Sequence, residues 1–471
     1  MSTSPVSIAS NTSAGAAGGS VIDVSTLVSQ LVAATQAPQE ALIQSQTQAV
    51  TSEISAVGQL KSALSTFQSS LAALDTPSAF GSLSATSSDT GAFTATADSG
   101  ATLGSYSVSI SQLAQAEQIV SSATYSSGST AVGTGTLQLS LGSSSFSVGI
   151  TSSNDTLAGI AAAINSASGN PGIEASVVTG TSGAHLVLTS SLTGASNTIA
   201  VAETDSGNGL SALTYGSGST NYTQQTAAQD ASFSIAGVSY TSASNTVSDA
   251  LSGVTLNLVA ATTSPATLTV ADNTSTIESN IQAFVTAYNT LQSSLAQLGG
   301  YDATTNTAGP LMGNAALTGA QSQIRAALYN VVDTGSSTYN TLASIGITSN
   351  NDGSLSVNTA TLSAALTANF SAVSNLFSGA GGVASGLNTV LGNELASGGP
   401  IDSLSQTLVK QNNALTQQSQ NLSQQMSALQ ASLTQQYSAL NALLSQLQST
   451  SSYLTQAFAT LPNAPKGTSG G

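Results

Sequence analysis

The chain has no cysteine, a single histidine and only four bases, Lys61, Arg325, Lys410 and Lys466, among its 471 residues. Without cysteine there is no disulfide framework and no thiolate to act as nucleophile or metal ligand. Four scattered bases against 20 acids, a net charge of -16, exclude nucleic-acid binding, which needs clustered Lys and Arg on phosphates. A polybasic membrane patch is excluded on the same ground. No apolar run approaches the ~18 residues of a membrane-spanning helix. The first twenty residues, "MSTSPVSIASNTSAGAAGGS", have neither the basic nor the apolar region of a secretory signal. They read as a flexible leader.

Charge of either sign is scarce. Only 5% of residues are charged, where about a quarter is usual. The acids stand singly, so no carboxylate pair or cage is legible. "TSNNDGSL" resembles a calcium loop only superficially. With Gly353 at the sixth position, Thr348 and Thr359 fall where acidic ligands belong, so the stretch reads as a turn at Asn351-Asp352-Gly353. His185 in "GAHLVLTS" sits at a strand start and reads as a strand-end or surface histidine, not as a catalytic base. There is no phosphate-binding glycine loop. These absences predict a protein without catalytic residues, metal or cofactor.

What is present is patterning. Near the C-terminus Leu440, Leu447, Leu454 and Leu461 recur every seven residues, with Leu444, Ser451 and Phe458 four after the first three. That is the stripe of a helix packed lengthwise on another helix. A second stripe lies near the N-terminus: Val57, Leu64 and Leu71 in one column and Leu60, Phe67 and Leu74 in the other, led in by Val50 and Ile54. Before it, "VIDVSTLVSQLVAATQ" is an amphipathic helix capped by Asp23, and Ala37-Pro38 is expected to interrupt it and start the next. A seam needs a seam, so the two ends are expected to pair, with the segments around Leu64 and Leu444 side by side. On that basis Leu447→Asp should break the stalk. The extreme ends, 21–36 and about 450–461, are expected to stay unsatisfied until a partner covers them.

The middle alternates with strand period. Tyr106, Val108 and Ile110 mark one strand, and "GTLQLSLGSSSFSVGI" two more across a Gly/Ser turn. "TLAGIAAAINSA" is a short helix through Leu157, Ile160 and Ile164, ended by Gly169-Asn170-Pro171-Gly172, and "IEASVVTGTSGAHLVLTS" a hairpin. Residues 203–228 read as loop or irregular strand, and 231–272 as strands. From Thr274 the helical period returns through Ile277, Ile281, Phe284, Tyr288, Leu291 and Leu295, with further helices near 314–332, 359–377 and 383–396.

Seven of these stretches, in order, resemble one family. "GSYSVSISQLAQAEQIVS" (104–121), "TLAGIAAAINSASGNPGIEASVVTGTSGAHLVLTS" (156–190), "NTVSDALSGVTLNL" (245–258), "FVTAYNTL" (284–291), "GPLMGNAALTGAQSQIRAAL" (309–328), "LASIGITSNNDGSLSVN" (342–358) and "LLSQLQSTSSYLTQAF" (443–458) are similar to the flagellar filament cap proteins, the FliD or hook-associated protein 2 family. The second resembles the insertion motif shared by flagellins and hook-associated proteins. The resemblance implies an extracellular homo-oligomer, commonly a pentamer, at the distal tip of the flagellum. It also implies export through the flagellar type III channel and action on flagellin folding and insertion. Its implied partners are flagellin, the filament tip or hook-associated proteins, and an export chaperone. Relatives carry charges beside the coiled-coil seam. Here residues 401–461 hold only Asp402 and Lys410, so register should rest on apolar positions and on polar intrusions such as Gln411 and Gln418.

The expected architecture is α+β: a coiled-coil stalk of both termini with β-rich head domains inserted. By segment it runs as a disordered leader (1–20), N-terminal stalk helices (21–79), the β part of a stalk-proximal domain (80–125) and a head with the insertion motif (126–228). Return strands (229–272), a helical stalk-proximal domain (273–400), the C-terminal stalk helix (401–461) and a disordered tail (462–471) follow. Val57, Leu60, Leu64, Phe67 and Leu71, with Leu440, Leu444, Leu447, Leu454 and Phe458, are expected to hold the stalk. The alternatives are another axial subunit, flagellin or hook–filament junction protein, and a secreted adhesin.

Overall fold

The structure, a computed structural model, describes residues 23–204, 209–216 and 218–460. The expected leader and tail, and Leu461, lie outside the described residues. The helices are α1 (Val24–Leu71), α2 (Leu157–Ser166), α3 (Thr274–Gly299), α4 (Ala315–Leu328), α5 (Thr359–Ala368), α6 (Phe370–Ser378), α7 (Val383–Leu395) and α8 (Pro400–Ala459). The chain divides into two compact units. One holds Met1–Asp75, Ile281–Leu362 and Asn375–Gly471; the other holds Thr76–Asn280 and Ser363–Ser374.

The second unit is β-rich and contains two cores. Strands β1 (Leu83–Ser87), β2 (Phe93–Ala97), β3 (Gly104–Gln112), β4 (Ala116–Ser121), β5 (Gly135–Leu141), β6 (Ser144–Ile150), β7 (Ile173–Gly180), β8 (Gly183–Thr193) and β9 (Ile199–Glu203) alternate inward and outward residues. So do β10 (Tyr222–Thr226), β11 (Ala231–Ile235), β12 (Val238–Ser242), β13 (Thr246–Leu251), β14 (Val254–Leu258) and β15 (Ala266–Asp272). One core lies between the antiparallel sheets β1-β15-β3-β11-β12 and β13-β14-β2 and is filled by Phe93, Val108, Ile110, Phe233, Leu256 and Leu268. The other lies among β10-β4-β8-β7, β6-β5-β9 and α2 and is filled by residues such as Ile119, Leu139, Ile160 and Leu188.

The second core is an insertion in the first. The chain leaves at Gln115 and returns at Gln229, and these two residues pair backbone to backbone, at 2.9 and 3.2 Å. The N-terminal boundary of the head therefore falls near residue 115, not 125. Glu117, Ile119 and Ser121 face the head's own core, because β4 pairs with β8 and β10. The segment 203–228 is less irregular than expected, since it contains the end of β9 and all of β10.

The first unit is helical, with two short hairpins, β16 (Tyr301–Asp302) with β17 (Thr307–Ala308) and β18 (Ile347–Ser349) with β19 (Leu355–Val357). The turn at Asn351-Asp352-Gly353 joins the latter pair, as its sequence predicts. Phe67 packs tilted on Phe284 and Tyr288, and Phe284 edge-on against Phe377, at centroid distances of 5.9–6.0 Å, so α1 and α3 share one aromatic core. Most of the expected helical stalk-proximal segment, 281–362 and 375–400, thus shares one compact unit with the stalk, while 273–280 and 363–374 fall in the other. The expected helix over 359–377 is two, α5 and α6, split at Asn369, whose side chain accepts from Ala372 N–H at 3.0 Å.

Pro38 does not divide α1, which runs unbroken for 48 residues. Pro38 removes one backbone donor. Val28 and Val32 before it and Ile43 after it are all buried in one cluster with Leu422 and Met426 of α8, which holds both halves in line.

Candidate functional site

The terminal helices carry the most distinctive surface. α1 starts at Asp23, whose carboxylate accepts from Ser25 N–H and Thr26 N–H at 3.1 and 3.2 Å and satisfies donors the first turn leaves open. The Thr26 and Ser25 hydroxyls add two more bonds, and together these hold the Asp23 carboxyl down at about 2. α8 starts on Gly399-Pro400, with Asp402 in its first turn accepting from Gly398 N–H at 2.8 Å.

Ile43, Val50, Val57, Leu64 and Leu71 of α1, spaced by seven, are all buried, as are Ile401, Leu408, Leu415 and Leu422 of α8 at the same spacing. Gln68 near the end of α1 donates to Asn388 of α7 at 2.9 Å, and Asn388 donates to Asp75 at 2.9 Å. The C-terminus of α1 thus lies beside the segment leading into α8, while Val24–Ile43 cluster with Leu422–Tyr437. The helices run antiparallel.

This register corrects the expected one. Val57, Leu60, Leu64, Phe67 and Leu71 are buried, but against the base of α8 and against α3, not against Leu440–Phe458. Leu64 and Leu444 are not neighbours. α8 is 60 residues long and α1 is 48, about 90 and 72 Å at 1.5 Å per residue. With Ile43 beside Leu422, α1 starts level with about residue 441, so Leu444, Leu447, Leu454 and Phe458 project past it; they and Leu440 are exposed, Leu447 by 57% and Phe458 by 70%. Leu443 and Tyr453 are exposed in the same stretch. Sequence periodicity identified the stripe but could not say which stretch of the other helix faces it. At the N-terminal side, Val28 and Val32 are already covered within the chain, contrary to expectation, and Leu31 is exposed.

The expected polar intrusions are also displaced. Gln411 and Gln418 are exposed. Asn412, four residues after Leu408, is turned inward instead, and its Oδ1 is buried without a hydrogen-bond partner among the described residues.

Two buried carboxylates escaped the sequence reading. Glu394 of α7 accepts from Gln323 Nε2 at 2.7 Å, while its Oε2 is buried without a partner. Burial pushes its carboxyl above the usual range, and the Gln323 bond offsets this only in part. Glu117 of β4 is buried in the head, where Gln224 Nε2 at 2.6 Å, Tyr215 Oη at 3.4 Å and Ile199 N–H all donate to it. The alternation Glu117, Ile119, Ser121 was the available signal. His185 lies on β8 with Nδ1 at 2.8 Å from the Ser121 carbonyl and Nε2 at 3.4 Å from Ser182 Oγ.

Comparison with known proteins agrees with this architecture. Residues 20–117 match the family model for the flagellar hook-associated protein 2 N-terminus, and 228–449 that for its C-terminus. Residues 136–192, in the inserted head, match the flagellin hook IN motif. The chain is 35% identical to flagellar hook-associated protein 2 of Escherichia coli K12, covering 95% of this chain and 98% of that one. It is 30% identical to B-type flagellar hook-associated protein 2 of Pseudomonas aeruginosa, covering 88% and 90%. The crystal structure of the D1-D2-D3 domains of the flagellar cap protein FliD from Escherichia coli superposes with a TM-score of 0.58 at 34% identity, covering 75% of this chain and 99% of that one. With similarity running through both ends, the inserted head and the fold, the chain belongs to the flagellar hook-associated protein 2, or FliD, family.

Proposed function

We propose that this chain caps the distal end of the bacterial flagellar filament and promotes the folding and insertion of exported flagellin. The observation that carries it is the apolar stripe Leu440–Phe458, which extends beyond α1 and lies exposed. Burying one such leucine is worth ~1.5–3 kcal/mol, so a helix end that leaves seven large apolar residues in water fits a partner surface. In a cap that surface is the filament tip. The role is one of packing geometry and involves no bond chemistry. We propose further that the working form is a ring of identical copies, the pentamer that its resemblance to the family implies, and that flagellin and an export chaperone are its partners. Neither a secreted adhesin nor a flagellin or junction subunit is favoured by relatives that match nearly the whole chain.

Electron microscopy of a deletion strain tests this reading. Stunted filaments with unpolymerised flagellin in the medium are expected, restored by the intact gene but not by Leu447→Asp. Normal filaments in the deletion strain would refute the cap role.

A further inference from the structure

In the head, β7 is the edge strand of the sheet β10-β4-β8-β7. Its pairing with β8 runs from Ile173↔Ser190 to Gly180↔Gly183. The backbone groups of Ile173, Ala175, Val177 and Thr179 therefore point away from β8, along the open edge. Unpaired edges of this kind are templates for strand addition by another chain.

The first half of the edge is already filled by side chains. Ala175 N–H donates to Asn165 Oδ1 at 2.7 Å, and Asn165 Nδ2 donates to the Ala175 carbonyl at 2.7 Å. Ile173 N–H donates to Asn170 Oδ1, and Asn170 Nδ2 to the Ile173 carbonyl, both at 2.8 Å. Each carboxamide turns one of its donors and one acceptor lone pair toward its β7 residue, the same pair a neighbouring strand residue would present. Both are positioned by the chain around them. Asn165 sits in the last turn of α2. Asn170 is held in the turn by Gly172 N–H, 3.0 Å from its Oδ1, and by the Ile164 carbonyl, 3.0 Å from its Nδ2. Gly172 has φ +123°, and a Cβ there would collide with Ser191 Oγ. Among the described residues, nothing bonds the outward N–H and C=O of Val177 and Thr179, and the Val178 side chain beside them is 54% exposed. The usual blocks, Lys and Pro, are absent from 173–183.

We propose that Asn165 and Asn170 act as a surrogate strand that shuts β7 against addition by a second copy of this chain, and that Val177–Gly180 is the stretch where such pairing begins once they are removed. Hydrogen-bond closure does here what Lys and Pro do at the edges of other proteins.

Because the chain has no cysteine, Val178→Cys gives a clean reporter. Two antiparallel β7 strands meeting through Val177 and Thr179 would place the two copies of position 178 directly opposite. In the full-length chain, adding Asn165→Ala and Asn170→Ala should raise the oxidised 178–178 dimer roughly tenfold over Val178→Cys alone. A triple variant that keeps its far-UV spectrum and cooperative melting yet crosslinks no more than the single variant overturns the proposal. If the triple variant does not fold, amide exchange in the unaltered chain decides. The Ile173 and Ala175 amides should exchange roughly tenfold or more slowly relative to Val177 and Thr179. Equal protection at the four sites overturns it.

Discussion

Glu394 has one oxygen on Gln323 and the other buried with no donor among the described residues. A buried acceptor without a partner is destabilising by about 1–3 kcal/mol. Glutamine keeps the Gln323 bond and removes the buried charge, so Glu394→Gln should stabilise the helical unit by about 1 kcal/mol at neutral pH. The sign with pH follows from the raised carboxyl. Stability is lost as pH rises through the folded value, so the advantage of glutamine should vanish when both forms are neutral, below the ordinary glutamate range near ~4.3. Denaturant titrations of the two proteins at several pH values check this. Asp23 behaves oppositely. Its carboxyl is held down at about 2, so its capping is complete above the ordinary aspartate range near ~3.9 and fades as pH falls toward that lower value. Amide exchange in the first turn of α1 should accelerate across that window, and in Asp23→Ala it should be fast throughout.

Elements differ in what they lose on truncation. Leu64→Ala removes a fully buried side chain from the α1 seam and should cost about 2–5 kcal/mol in thermal or denaturant unfolding. Leu447→Ala removes an exposed one and should leave the isolated chain within ~0.5 kcal/mol while still impairing filament growth. A Leu447 variant that melts markedly earlier as an isolated chain would show that α8 is covered there after all.

The same contrast marks what the sequence could disclose. Period-seven leucines revealed both helices, and period-two alternation revealed Val108 and Ile110, because those signals are local. The offset that pairs Ile43 with Leu422 is not local. It is set where α1, α7 and α8 meet, through Gln68, Asn388 and Asp75, residues with no apolar signature. Pro38 misled for a related reason: a missing donor is a local penalty, overridden by tertiary packing on both sides of it. The two edge-closing asparagines were visible only as turn formers.

Over the whole molecule the scarcity of charge makes a physical prediction. With Asp402 and Lys410 the charged residues of α8, the helix pair rests on apolar contact and neutral hydrogen bonds. Screening has little to remove. The unfolding temperature should shift by less than about 3 °C between low salt and about 1 M NaCl, and a larger fall would mean that ion pairs carry the seam.

The backbone pairing of Gln115 with Gln229 brings the exit and re-entry of the head to neighbouring positions, with Gln229 Nε2 tied to the Leu113 carbonyl at 2.8 Å. A tight tether of this kind makes the head a cassette. Evolution, or an engineer, can exchange it for another fold of any size whose own ends lie close together, or trim it to a short turn, without disturbing the strands that flank the splice.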